Sequence, residues 1–306
     1  MIKTRFRFIL CCSLLAILLF LMSGCGESEM EDSFSWKISR SDSNNSIYVL
    51  GILPFLEDDG YLVEERIYNA FWSSPNFIIQ TDDTSMSEEE VERLFLKYGI
   101  YEEGTLAENI SSELYEKLEI EFKNLGEDIQ EFSNGRPWAV ADYLFSLAVE
   151  DLNQKGNNIS FDYIESTFLE RAKGNDNKTI FELISLGDEL KGSYSFDDDL
   201  SEEILIDALL SIENLKEDSK RMLEYWKEVD VEGLEKIIFE NLAKDPSLMP
   251  LYEKVYFEKN KVFVEDISQI FEDGEDAFLV MSAGYLLGEN GMLKLFEDKG
   301  FNVEMY

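Results

Sequence analysis

The chain has 306 residues, with 27 Lys plus Arg against 64 Asp plus Glu, three Cys and no His. A formal charge of -37 repels nucleic acid and anionic headgroups, and the lack of histidine excludes Ser-His-Asp and Cys-His catalysis. At 45% hydrophobic residues, with 22 Phe, 14 Tyr and 4 Trp, the chain can still fill a sizeable core, so overall disorder is excluded too.

At the N-terminus, Lys3, Arg5 and Arg7 form a basic head before an almost unbroken apolar run from Phe8 to Met22. That run is shorter than the roughly 20 residues a spanning helix needs, and it has the layout of a secretory signal peptide. Ser23-Gly24-Cys25 follows at once, and no cysteine lies downstream. The pattern predicts a lipoprotein signal peptide over residues 1–24, with a lipid anchor on Cys25 of diacylglyceryl and palmitate-like acyl chains; an uncleaved signal anchor is the alternative. Several acyl chains hold a protein firmly at a membrane where one does so only marginally. The expected location is the bacterial cell envelope, facing outside the cytoplasm. Cys11 and Cys12 would leave with residues 1–24, so the mature chain could form no internal disulfide. Loss of Lys3, Arg5 and Arg7 with the same segment, which contains no acidic residue, would make the mature chain more negative still.

Residues 25–33 read as an acidic tether, and residues 34–306 as one domain, with or without a large insertion. Phe34 to Ile38 and Ile47 to Gly51 are strand-like and flank a Ser-Asp-Ser-Asn-Asn turn, which predicts a hairpin. Apolar residues at 63, 67, 70 and 71 mark a helix, and Phe77 to Ile79 a short buried strand. Ser87 with Glu90 forms a capping box ahead of a helix that Gly99 can end. Further helices are expected from Ser111 or Ser112, from Pro137, over Phe161 to Ala172, and in two or three pieces over Glu202 to Glu240. Lys178 to Leu183 reads as a strand, residues 241–246 as an interhelical turn, and Val255 to Phe271 as a long amphipathic helix. Ala277 to Met281 is apolar enough for a central strand covered on both faces. A helix near Met292 to Phe296 and a last strand, Phe301 to Met305, complete the chain. The expected fold is α/β: a mixed central sheet built from N- and C-terminal segments, with a helical cap or insertion at about 87–235.

Several of these segments resemble the TraB/GumN family, which also covers the PrgY pheromone-shutdown proteins and the animal Tiki proteins. Its opening strand and Gly-x-x-His turn resemble Leu50-Gly51-Ile52-Leu53-Pro54-Phe55, and its strand ending in glutamate resembles Phe77-Ile78-Ile79-Gln80-Thr81-Asp82. Its Lys-Pro-Trp resembles Arg136-Pro137-Trp138, its Gly-Leu-Glu segment Ile180-Phe181-Glu182, and its Trp-x-x-Gly-Asp helix Tyr225-Trp226-Lys227 with Asp230. Glu258-Lys259-Asn260 resembles a Glu-Arg-Asn, and Met281-Ser282-Ala283-Gly284-Tyr285-Leu286 a Val-Gly-Ala-Gly-His-Leu followed by a second glycine motif at Gly288 to Leu293.

The resemblance implies that the two Gly-x-x-His motifs supply metal ligands in proteolytic members. Here Pro54 and Tyr285 stand where those histidines would be, Gln80 replaces the glutamate, and Lys259 replaces the arginine without its planar fork. Loss of even a supporting partner costs a metal site about 10- to 100-fold. Only Asp82, Asp83 and Glu182 remain as oxygen ligands, a set that suits weak calcium or magnesium binding. Asp197-Asp198-Asp199 lacks the spacing of an EF-hand loop. No other cofactor is expected. The implied function is a catalytically degenerate protein that binds a peptide, protein or small ligand in a cleft at Gly51, Pro54, Gln80, Asp82, Glu182, Lys259, Asn260, Ser282, Gly284 and Tyr285. The alternatives are a divergent metal-dependent hydrolase with oxygen ligands and a structural component of an envelope complex.

Overall fold

Along Ala277 to Ser282 successive side chains face opposite sides, as a strand requires. Ala277, Leu279 and Met281 join one buried cluster, and Phe278 and Val280 join another. A strand apolar on both faces must be sandwiched, and this one (β7) lies inside a six-stranded sheet. The structure is a computed structural model that describes residues 33–53, 56–57, 63–156, 159–160, 164–194 and 200–306. Residues 1–32, with the expected signal peptide, Cys25 and most of the expected tether, lie outside the described residues, as do Pro54, Phe55 and Asp197 to Asp199.

The other strands of this sheet are β1 (Ser35–Ser39), β2 (Ser46–Ile52), β4 (Asn76–Ile79), β6 (Thr179–Glu182) and β8 (Asn302–Met305), in the order β6-β4-β7-β2-β1-β8. The first four strands of that order are parallel. β1 is antiparallel to both β2 and β8, so the expected hairpin is present. A two-stranded pair, β3 (Leu56–Glu57) with β5 (Ile159–Ser160), stands apart from it.

One face of the sheet is covered by α1 (Glu65–Ser73), through Ile67, Ala70 and Phe71, and by a helix over Ile164–Lys173, through Phe168, Leu169 and Ala172. The opposite face carries helices Leu215–Lys227, Val231–Ile238, Glu258–Glu272 and Met292–Asp298. A separate apolar cluster holds helices Leu106–Asn109, Ser112–Asn124, Pro137–Gln154 and Ser201–Glu213 together. The stretch 87–235 is thus largely helical, but it also delivers β6 to the edge of the sheet. Among the described residues no helix is long and apolar enough to cross a membrane.

The Ser87 capping box forms as expected, with Glu90 N–H bonded to Ser87 Oγ and Ser87 N–H bonded to Glu90 Oε2. The helix expected from Phe161 is described from Ile164. The turn expected at 241–246 is a correction: Glu240–Lys244 is a short helix, and the chain turns only at Asp245, whose carboxylate caps Ser247 N–H. Asn241 stays helical because its amide reaches across to Ser211 and Asp207, a long-range contact invisible in local composition. The long helix near 255 opens with a π turn, Glu253–Phe257, before regular helix begins.

Candidate functional site

Parallel pairing brings the carboxyl ends of β2, β4, β6 and β7 to one edge of the sheet. Ile52 is level with Ser282, and Ile79 with both Val280 and Glu182. Crevices outside the carboxyl ends of parallel strands are the usual ligand positions in open α/β sheets. Gln80, Asp82, Glu182, Ser282 and Tyr285 all lie on or just beyond these ends.

Gly51, on β2, is there because two backbones and two rings meet at it. Its N–H donates to Phe34 O at 2.9 Å, and the Trp226 indole donates to Gly51 O at 2.8 Å. A Cβ at this position would come within 2.6 Å of the Phe34 ring. Trp226 and Gly51 of β2, 175 positions apart, are therefore joined directly. Asp230 has a local role, capping the following helix through Gly233 N–H at 2.9 Å. Arg136-Pro137-Trp138 also locks elements together: Trp138 packs edge-on against Phe95 and donates to Tyr98 O.

Beyond β7, Ala283–Leu286 is a single helical turn. It buries Tyr285, whose ring packs against Tyr256 and Phe263 at centroid distances of 5.1 and 5.9 Å. The Gln80 amide donates to the Tyr285 hydroxyl at 3.3 Å. Burial, with Tyr256 and Glu189 nearby, holds that hydroxyl far above the ordinary tyrosine range, so it stays neutral.

Of the three expected oxygen ligands, Asp82 and Glu182 are engaged, and the Asp83 side chain lies outside what the structure describes. Asp82 pairs with Lys173 at 2.6 Å and caps Thr84 N–H, while Glu182 accepts the Asp82 N–H at 2.8 Å. Lys259 pairs with Glu189 at 2.7 Å. Asn260 is 1% exposed and donates to Asn290 O, and its own Oδ1 has no partner among the described residues.

These donors do not fit a transition-metal ion. A neutral amide and a neutral phenol are bonded to each other, one carboxylate is neutralised by lysine, and a lysine stands at the arginine position. Among the described residues no group of three or more Cys, Asp or Glu is arranged around a common metal position. Sequence reasoning missed Glu189, the carboxylate that receives Lys259. It also missed Asp207, Tyr252 and Tyr256, which line a cavity beginning at Leu53 and Ser282–Gly284. A signal for Asp207 existed: it is the lone acid in the run Ile204-Leu205-Ile206-Asp207-Ala208-Leu209-Leu210.

A six-stranded sheet whose central pairings are parallel, with helices on both faces, places the protein in the α/β class. The TraB/PrgY/gumN family model matches residues 34–305, and the chain belongs to that family. No curated protein and no solved structure shows significant similarity to it.

Proposed function

We propose that the protein is a catalytically silent member of the TraB/PrgY/gumN family that binds a peptide, protein or small ligand at the carboxyl ends of its parallel strands. The observation that carries this reading is the direct Gln80 to Tyr285 hydrogen bond. Two positions that would be ionic or metal-ligating in the family pattern form a neutral pair here, so the strand ends keep their shape and lose the donors for Lewis-acid hydrolysis. The oxygen-ligand alternative would need Asp82 released from Lys173 and Glu182 from the Asp82 backbone.

The proposal includes membrane attachment through lipid on Cys25 at the bacterial envelope, supported by the basic head, the short apolar run and the Ser-Gly-Cys that ends at Cys25. Nucleic acid is not among the proposed partners, because a charge of -37 repels it.

The test loads the purified protein with manganese, cobalt or zinc in turn and offers it a broad peptide library. The expected result is no metal-dependent cleavage and less than a tenth of an equivalent of metal retained after dialysis. Turnover that needs the metal and is abolished by Tyr285→Phe would overturn the proposal.

A further inference from the structure

A cavity of about 260 Å³ lies beside the strand ends, between them and the helices that carry Asp207, Leu215 and Ile237. Its wall is mainly apolar, with Leu53, Leu215, Met222 and Ile237 among its lining. That volume is slightly below the roughly 300 to 1,000 Å³ of typical small-molecule sites, so the occupant would be small.

The polar end is built around one carboxylate. Tyr252 donates its hydroxyl to Asp207 Oδ1 at 3.0 Å, and the Asn241 amide donates to the same oxygen at 3.1 Å. Both donors are neutral, and neither bond uses Oδ2. The two other carboxylates of the lining differ, since Asp218 and Glu240 share Arg221 at 3.1 and 3.8 Å. Among the described residues no Lys or Arg lines the cavity.

A carboxylate held by neutral donors in a partly apolar chamber recognises a cation, because a charge-assisted bond is then available that water supplies poorly. Tyr252 and Tyr256 also line the cavity, and aromatic rings attract an ammonium group. The protein's net charge of -37 raises the local concentration of cations and repels anions.

We propose that this cavity binds a small amphipathic monocation, a primary amine with an apolar body of roughly ten heavy atoms. Asp207 takes the ammonium group, and Leu53, Leu215, Met222 and Ile237 enclose the apolar body. The inference rests on the reading of the strand-end region as a ligand site and names the ligand class it takes.

Isothermal titration of the full chain with phenethylamine, phenethyl alcohol and phenylacetate, each at low and at moderate salt, tests it. The amine should bind saturably at one equivalent, the alcohol at least about tenfold more weakly, and the acid not measurably, since one charge-assisted bond separates the first two. Asp207→Asn keeps an acceptor for Tyr252 and Asn241 and should weaken the amine by at least about tenfold while leaving the alcohol unchanged. Ser211→Phe, which adds bulk at the cavity wall, should weaken both. Equal binding of amine and alcohol, or amine binding unchanged by Asp207→Asn, would overturn the proposal, and so would many weak equivalents that vanish with salt. Saturable binding of the alcohol or the acid instead would overturn the amine assignment alone and leave the ligand-binding reading standing. Metal-dependent peptide cleavage would overturn that reading separately.

Discussion

The Gln80 side-chain amide and the Tyr285 hydroxyl, 205 positions apart in the chain, meet at 3.3 Å where the carboxyl ends of β4 and β7 lie side by side. Tyr285→Phe removes the acceptor while keeping the ring packing against Tyr256 and Phe263. The expected loss is about 1 kcal/mol, the net worth of one partly buried neutral hydrogen bond. In a double-mutant cycle with Gln80→Leu the two losses should be less than additive, as measured by urea unfolding. Fully additive losses would mean that the bond contributes nothing.

Lys259 and Glu189 are each about three-quarters buried, at 24% and 22% side-chain exposure, and Glu189 Oε2 lacks a partner among the described residues. Lys259→Met leaves the carboxylate uncompensated and should destabilise by about 1 to 3 kcal/mol, discounted from the cost of breaking a fully buried pair. Lys259→Arg has the opposite expectation. A guanidinium fork can engage both Glu189 oxygens, so thermal unfolding should occur at the same or a higher temperature.

Gly51→Ala places a methyl group within 2.6 Å of the Phe34 ring. Overpacking of this kind costs about 1 to 3 kcal/mol. Because Trp226 bonds to the Gly51 carbonyl, near-ultraviolet circular dichroism and tryptophan fluorescence should shift along with stability. An unaltered spectrum with unaltered stability would refute the packing role.

Two aspartates should give opposite pH signatures. For Asp82, burial raises the pKa, but the Lys173 ion pair and the Thr84 hydrogen bonds outweigh it and leave a net depression. Its contribution is therefore present above the unfolded value of about 3.9 and lost as pH falls through the lower folded value. For Asp207 burial dominates over the bonds from Asn241 and Tyr252 and raises the pKa. Its folded state favours the proton, so that contribution is full below about pH 3.9 and lost as pH rises through the folded value. Thermal unfolding from pH 3 to 8 should show Asp82→Asn flattening the acid limb. Asp207→Asn should unfold at a higher temperature than the parent at neutral pH, with the gain vanishing near pH 3.

Much of the fold was legible locally. The β1 to β2 hairpin, the Ser87 capping box, the Pro137 start and the two-faced apolar strand at Ala277 each depend on spacing within a few residues. The helix over Glu240–Lys244 was not legible, because its Asn241 is held by Asp207 and Ser211 from another helix. The order of the strands was equally hidden, since β7 comes from near the C-terminus and inserts between β2 and β4, which both lie early in the chain.

For function, composition alone decided that imidazole chemistry is absent and that the protein's field is strongly negative, because both follow from residue counts whatever the fold. Only the tertiary structure decided which of the remaining polar groups are free to act. Asp82 is taken by Lys173, Gln80 by Tyr285 and Lys259 by Glu189, while Asp207 stands in a cavity bonded to neutral partners. The physical reason is that the availability of a charge depends on its neighbours in space. Each of these partners arrives on a different element from the group it meets, carried there by the packing of helices on the sheet and not by nearness along the chain.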